Sequence, residues 1–315
     1  MDYRKIVVAG GGVLGSQIAF QAAYCGFDVT IWLRSEDSMG RTTPKLTKLY
    51  ETYCNTIEAM ATDDGKLAEN WARGISEHES FSKSVCMSRA QDAYQNIKMT
   101  INMESAVDDA DLVIESMAEN LDDKISFYKK MALLLPEKTV IVTNSSTLLP
   151  SKLAPYTKRP DRFLAMHFAN SIWKNNMVEV MTHDGTDKKY FYDIIEFATE
   201  INMIPLPVRK EKSGYLLNSM LVPLLFSGMD LYVNEISDSR SIDRAWTLGT
   251  GAPKGPFQIL DIVGLNTVYN IVHEYEKTPS FLAPYNFKGM ARMLKTYIED
   301  GKLGVSTGEG FYKYD

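Results

Sequence analysis

Cysteine is scarce in this chain: Cys25, Cys54 and Cys86 make an odd number with no C-x-x-C spacing. That argues against a disulfide framework or a zinc knuckle, and a reducing compartment fits. Long apolar runs are missing too. No stretch reaches the ~18 uninterrupted apolar residues of a membrane span, and the chain passes from Met1-Asp2 into IVVAG without an apolar leader or an Arg-rich presequence. A soluble, cytoplasmic protein is the expectation. Positive charge is in deficit, with 34 Lys and Arg against 40 Asp and Glu for a net charge of −6. Nucleic acids and anionic membranes need clustered cations, so neither is an expected partner, and a small-molecule substrate is.

What is present is apolar content, 45% of 315 residues, enough for two domains at ~100–200 residues each. Strand and helix patterns alternate through the first two thirds of the chain, as in a doubly wound α/β sheet. Strands are expected at 5–9, 29–33, 98–102, 112–116 and 139–143, then at 162–168, 177–181 and 204–208. Helices are expected at 13–25, 122–135 and 188–199. Beyond Lys212 strand signals stop. GYLLNSMLVPLLFSGMDLYVNEI is apolar almost all round and predicts a buried helix kinked at Pro223. With helical patterns at 243–248, 257–262 and 265–276 it implies an all-α second domain, 212–315, that buries surface in a homodimer.

The first domain, 1–211, carries a helical arm at about 36–97. Pro44 fits a first helical position after Thr42-Thr43, and Leu46, Leu49, Tyr50, Tyr53, Ile57 and Met60 keep a helical period. The polar continuation TDDGKLAENWARGISEHES reads as a solvated extension of the arm.

Three stretches carry chemistry. In KIVVAGGGVLGSQIAFQAAYCG, Gly10-x-Gly12-x-x-Gly15 lies between a strand and a helix pattern. Such glycines let the backbone turn tightly against a pyrophosphate, while the helix N-terminus, here Val13-Leu14, offers free N–H groups. In DRFLAMHF and NMVEV, an antiparallel pairing about Trp173 brings His167 opposite Glu179, so a carboxylate would fix the imidazole tautomer and stabilise an imidazolium. The loop NSST puts Asn144, Ser145, Ser146 and Thr147 past a strand's C-terminal end, where ligands bind in such sheets, although the same residues can cap a helix. Asn218, inside the apolar helix, needs backbone or ligand partners.

Taken together, GGGVLGSQIA, DADLVIESMAENLDDK, TNSSTL, RPDRFLAMHFAN, MVEV, SGYLLNSMLVP, LGTGAPKGPFQILDIVGLNT and KLGVSTGEGFYKY resemble, in that order, the 3-hydroxyacyl-CoA dehydrogenases, including the short bacterial 3-hydroxybutyryl-CoA enzymes. The resemblance implies a Rossmann-type N-terminal domain, an all-α C-terminal dimerisation domain and a substrate cleft between them. It makes His167 the general acid/base and Glu179 its orienting partner. It also gives Ser146 and Asn218 hydrogen bonds to the substrate, places Glu119 and Lys124 near the nicotinamide ribose, and assigns Gly10, Gly12 and Gly15 to the pyrophosphate. The substrate it implies is an acyl-CoA, with Lys45, Lys48, Lys66 and Arg73 of the arm as candidate phosphate contacts. Ser171 and Ser213 depart from the family's usual prolines. The alternatives are a dehydrogenase of a small hydroxy acid without CoA and a non-catalytic dinucleotide-binding protein.

One absence bears on the cofactor. About 20 residues after the glycine run, a dinucleotide-binding unit places an Asp or Glu on the adenosine ribose; here the strand ends in Leu33-Arg34-Ser35. A carboxylate would repel a 2′-phosphate, whereas Leu33 does not, and Arg34 and Ser35 supply donors. The expected cofactor is NADP(H), with NAD(H) as the alternative.

Overall fold

The central apolar runs, such as 112–115, 140–143 and 163–168, become strands buried on both faces, as a sheet covered by helices on both sides requires, while the outer strands at 98–100 and 204–208 stay partly exposed. In the computed structural model, which describes residues 3–68, 70–279 and 281–314, the N-terminal unit spans Met1–Leu216 and the second Leu217–Asp315. The first unit runs β1 (Lys5–Ala9), α1 (Val13–Tyr24), β2 (Asp28–Trp32), α2 (Glu36–Met60), α3 (Lys83–Asn96), β3 (Lys98–Thr100), α4 (Met103–Val107) and β4 (Leu112–Glu115). It continues through α5 (Leu121–Met131), β5 (Val140–Thr143), α6 (Pro150–Leu153), β6 (Phe163–Phe168), β7 (Met177–Met181), α7 (Lys188–Glu200) and β8 (Ile204–Val208).

The sheet order is β3-β2-β1-β4-β5-β6-β7-β8. Strands β1 to β6 pair in parallel, β7 runs antiparallel to β6, and β8 is parallel to β7. Alternate strand residues feed two cores: Ile6, Val8, Ile114 and Val142 pack with α1, α2, α3 and α7, while Val7, Val113 and Ile141 pack with α4 and α5. All the parallel strands therefore end on one edge, and their following loops gather there.

The arm differs from its expected form. Helix α2 begins at Glu36 rather than at Pro44: Ser35 is the N-cap, accepting from the Ser38 N–H, and Pro44 lies inside the helix. Around the interruption the side chains of Thr42, Thr43 and Lys45 donate to the carbonyls of Ser38, Met39 and Arg41, while Pro44 itself has no N–H to give to the Gly40 carbonyl one turn back. The polar stretch that follows is not a solvated helix. It contains no α-helix among its described residues, and Trp71, Ala72 and Ile75 are buried in the first core. Gln21 and Asn202 donate to the Gly74 carbonyl and fix that loop.

The second unit holds α8 (Leu217–Val233), α9 (Ser239–Thr250), α10 (Pro256–Val263), α11 (Leu265–Tyr275) and α12 (Phe287–Glu299), the last not foreseen from the sequence. Helix α8 runs through Pro223 and buries only Leu225, Phe226, Gly228 and Met229, so this apolar helix is covered on one face rather than all round. Asp243 caps α10 by accepting from Phe257 and Gln258 N–H groups and receives the Tyr312 hydroxyl. Asp261 accepts from Phe311 N, Tyr312 N and the Tyr314 hydroxyl, which ties the C-terminal stretch to the bundle. Among the described residues no helix is long and apolar enough to cross a membrane.

Candidate active site

His167 and Glu179 are direct cross-strand partners in the β6–β7 register. The ring Nδ1 lies 2.9 Å from Glu179 Oε2. An ionised carboxylate only accepts, so Nδ1 carries the hydrogen and Nε2 is left with its lone pair. Nε2 in turn sits 3.1 Å from Ser146 Oγ. Both members of the pair are buried, His167 at 7% exposure and Glu179 at 0%. The other carboxylate oxygen accepts from Leu216 N at 2.8 Å. Tyr215 stacks its ring on the imidazole at 4.4 Å between centroids and 14° between planes. Its hydroxyl donates to the Ser145 carbonyl at 2.8 Å. Burial and nearby carboxylates push the Tyr215 phenol upward, so it remains a donor.

The serine loop is held from below by acids. Glu119 Oε1 accepts from Ser145 Oγ at 2.5 Å, Thr147 N at 2.8 Å and Thr147 Oγ1 at 2.7 Å. Burial by itself would raise the Glu119 carboxyl, but these hydrogen bonds and the Lys124 ammonium outweigh it and hold the group below the usual carboxylate range. Lys124, fully buried, pairs with Glu115 at 2.6 Å and Glu119 at 3.4 Å. Glu115 also receives the Tyr128 and Thr143 hydroxyls and the Met117 N–H. A buried lysine between two carboxylates with filled hydrogen-bond sites is the arrangement in which an interior charge is tolerated. Asn144 accepts from Phe168 N and donates to Ser116 Oγ, bridging the ends of neighbouring strands.

Beyond β1 the glycine loop opens a cavity of about 290 Å³, lined by Gly10, Gly11, Gly12, Leu33, Arg34 and residues of α2 among others. A Cβ at Gly10 would meet Ser116 O at 2.5 Å and one at Gly15 would meet Gly10 O at 2.2 Å, so close backbone approach demands both glycines. Gly12 is different. It stands at the N-cap of α1, and a Cβ there would meet no protein atom within 4 Å. That space beside free N–H groups fits the pyrophosphate of a dinucleotide. Val13 is exposed in the first helical turn, and Leu14 packs partly against the core. Leu33 is buried, Arg34 is exposed with Asp123 3.5 Å away, and Ser35 caps α2 rather than lining the cavity.

Two family models match the chain: "3-hydroxyacyl-CoA dehydrogenase, NAD binding domain" over residues 5–212 and "3-hydroxyacyl-CoA dehydrogenase, C-terminal domain" over residues 214–314. The chain belongs to the 3-hydroxyacyl-CoA dehydrogenase family. It is thus an oxidoreductase with a nicotinamide-binding N-terminal domain. It is 31% identical to the mitochondrial hydroxyacyl-coenzyme A dehydrogenase of Homo sapiens, covering 99% of this chain and 91% of that one. It is 29% identical to the 3-hydroxybutyryl-CoA dehydrogenase of Clostridioides difficile, covering 99% of both. Among solved structures, a diketoreductase described for dual catalysis of dicarbonyl compounds matches with a TM-score of 0.85 and 42% identity over the whole of both chains.

In this member of the 3-hydroxyacyl-CoA dehydrogenase family, the N-terminal unit brings together Ser146, His167 and Glu179, and separately Glu119 with Lys124. Asn218 stands half-buried near the start of α8 in the second unit. Sequence reasoning missed Tyr215, Glu115 and Tyr128; an acid closing the apolar run LVIE was the one local sign of such a network. Ser171 also gains a meaning. It has φ 60° and donates its N–H to Gln17 Oε1 at 2.8 Å, and a proline could do neither. Ser213 donates to the Thr147 carbonyl, adding a tie to the serine loop. Lys45 lines the glycine-loop cavity instead of standing free on the arm.

Proposed function

We propose that the protein interconverts a 3-hydroxyacyl-CoA and the corresponding 3-oxoacyl-CoA by hydride transfer with NADP(H). The observation that carries this reading is the line from half-buried Ser146 to the buried pair His167–Glu179, with His167 Nε2 directed at a hydroxyl and Nδ1 held by a carboxylate. In the oxidative direction Nε2 takes the proton of the C3 hydroxyl as hydride leaves C3; in reduction the imidazolium returns that proton to the developing alkoxide. The nicotinamide, when bound, accepts or donates the hydride. Ser146 hydrogen-bonds the C3 oxygen, and the family resemblance gives Asn218 a like role. The same resemblance places Glu119 and Lys124 near the nicotinamide ribose; Glu119 is exposed at the serine loop, whereas Lys124 is buried and acts through its ion pair to Glu119. The preference for NADP(H) over NAD(H) is supported by Leu33, which removes the ribose carboxylate, and by Arg34 beside it.

A second reading, reduction of a small dicarbonyl compound that carries no CoA, is favoured by the higher identity to the diketoreductase than to the CoA dehydrogenases named above. Absorbance of the reduced nicotinamide, followed with acetoacetyl-CoA, acetoacetate and a neutral dicarbonyl, each with NADPH and NADH, decides. Turnover far more efficient with acetoacetyl-CoA supports the first reading. Equal or better turnover without CoA replaces it with the second, and none with any substrate restores the non-catalytic alternative.

The setting proposed is a cytoplasmic homodimer. Exposed Met220, Leu231, Ile236, Leu248 and Ile262 in the C-terminal unit support self-association, and three free cysteines suit a reducing compartment. Light scattering of the purified protein tests the dimer.

A further inference from the structure

We propose that Ser38, Arg41 and Lys45 of α2, together with Arg34, form the clamp that recognises the 2′-phosphate of NADP(H). This rests on the NADP(H) reading above and assigns its specificity to residues beyond the Leu33-Arg34-Ser35 turn.

Positions 38, 41 and 45 are spaced three and four apart, so they share one face of a helix. All three line the cavity that begins at the glycine loop. Thr42, on the same face, has its hydroxyl 3.2 Å from the Gly11 carbonyl and ties the basic face to the loop. A dinucleotide whose pyrophosphate rests on Gly12 and the α1 N-terminus puts its adenosine ribose at the end of β2. That is where Leu33 and Arg34 meet this face of α2.

The charge follows. Three cations, Arg34, Arg41 and Lys45, line the cavity against one carboxylate, Asp123. This is a local positive excess in a chain whose net charge is −6. Among the described residues neither Arg41 nor Lys45 has an acidic ion-pair partner. Arg41 Nη2 donates to Ser38 Oγ at 3.0 Å and Lys45 Nζ to the Arg41 carbonyl at 2.7 Å, so the cations are gathered without being neutralised. Among the described residues Arg34 has only the exposed contact to Asp123 at 3.5 Å, a pairing that contributes little and that a doubly charged phosphate can displace. Glu36 and Asp37, exposed in the first turn of α2, are the other acids nearby in sequence. A guanidinium, an ammonium and a hydroxyl give a phosphate both charge and directional donors.

The test is calorimetric binding to the cofactor-free protein, independent of turnover. Adenosine 2′,5′-bisphosphate is compared with 5′-AMP, and NADPH with NADH, for the wild type, Arg41→Gln, Lys45→Met and the double variant, whose folding is checked by thermal unfolding. The wild type should bind the 2′-phosphorylated ligand ~10- to 1000-fold more tightly. The ratio should fall in each single variant and approach one in the double variant. A wild-type preference that survives in the double variant overturns the clamp and leaves the NADP(H) reading standing on Arg34. A wild type that does not discriminate overturns both. A folded double variant that loses both ligands in equal measure also contradicts the clamp, because the lost contact would then not be to the 2′-phosphate.

Discussion

Tyr215 lies flat against His167, with ring centroids 4.4 Å apart and planes 14° from parallel, while its hydroxyl reaches the Ser145 carbonyl. One side chain thus sets the tilt of the imidazole and the position of the loop that carries Ser146. Tyr215→Phe keeps the stack and removes the hydrogen bond; the expected cost is about 1 kcal/mol of stability, with kcat lowered less than ~10-fold. Tyr215→Leu removes both and should lower kcat further. Denaturant unfolding and steady-state kinetics on the two variants check this, and identical kcat values for the two would show that the stack does not position the imidazole.

Replacing His167 by Gln removes the group that moves the proton. We expect kcat to fall by ~10²–10⁴-fold while the affinity for the cofactor, measured by titration, changes little. A variant that retains more than about a tenth of wild-type turnover when chemistry limits the rate contradicts the assignment.

Glu119 gives a pH signature. Its folded-state carboxyl is held below its usual range, so the ionised form favours the fold above the unfolded value of ~4.3, and that contribution is lost as pH falls through the depressed folded value. The melting temperature of Glu119→Gln should therefore lie below wild type near neutral pH, with the gap closing in acid. A gap that is the same at both ends shows that the ionised carboxylate does not stabilise the fold.

Two glycines of one loop should respond oppositely to the same added methyl. Gly12→Ala finds no protein atom in its way and should leave thermal stability near wild type while weakening dinucleotide binding. Gly15→Ala, with its Cβ 2.2 Å from the Gly10 carbonyl, should lower stability outright. Melting curves with and without cofactor separate the two effects; unchanged cofactor affinity in Gly12→Ala would place the pyrophosphate elsewhere.

Cofactor choice should be reversible at the end of β2. Leu33→Asp combined with Arg34→Gln restores the carboxylate and removes a cation, and should shift the kcat/KM ratio toward NADH by ~10-fold or more. An unmodified protein that already uses NADH as efficiently as NADPH would remove the basis of the NADP(H) reading.

The sequence by itself determined what depends on short-range pattern. A glycine run between an apolar strand and a helix is local, and so is the period-two alternation that sets His167 against Glu179 across one turn; both are readable because backbone geometry repeats along the chain. Tertiary structure decided the rest. The start of α2 at Glu36 depends on the Ser35 side-chain cap, two turns ahead of Pro44, and only that start puts Ser38, Arg41 and Lys45 together on the cavity. The burial of Trp71 and Ile75 inside a polar stretch needs partners from α1 and the end of α7. Tyr215 reaches His167, and Glu119 reaches the serine loop, across separations in sequence that periodicity does not span. The Glu119 contact exists only once β4 and β5 lie side by side with their C-terminal ends on one edge, and the Tyr215 contact only once the chain after β8, which runs the opposite way, has come back to β6; no local propensity brings these loops together.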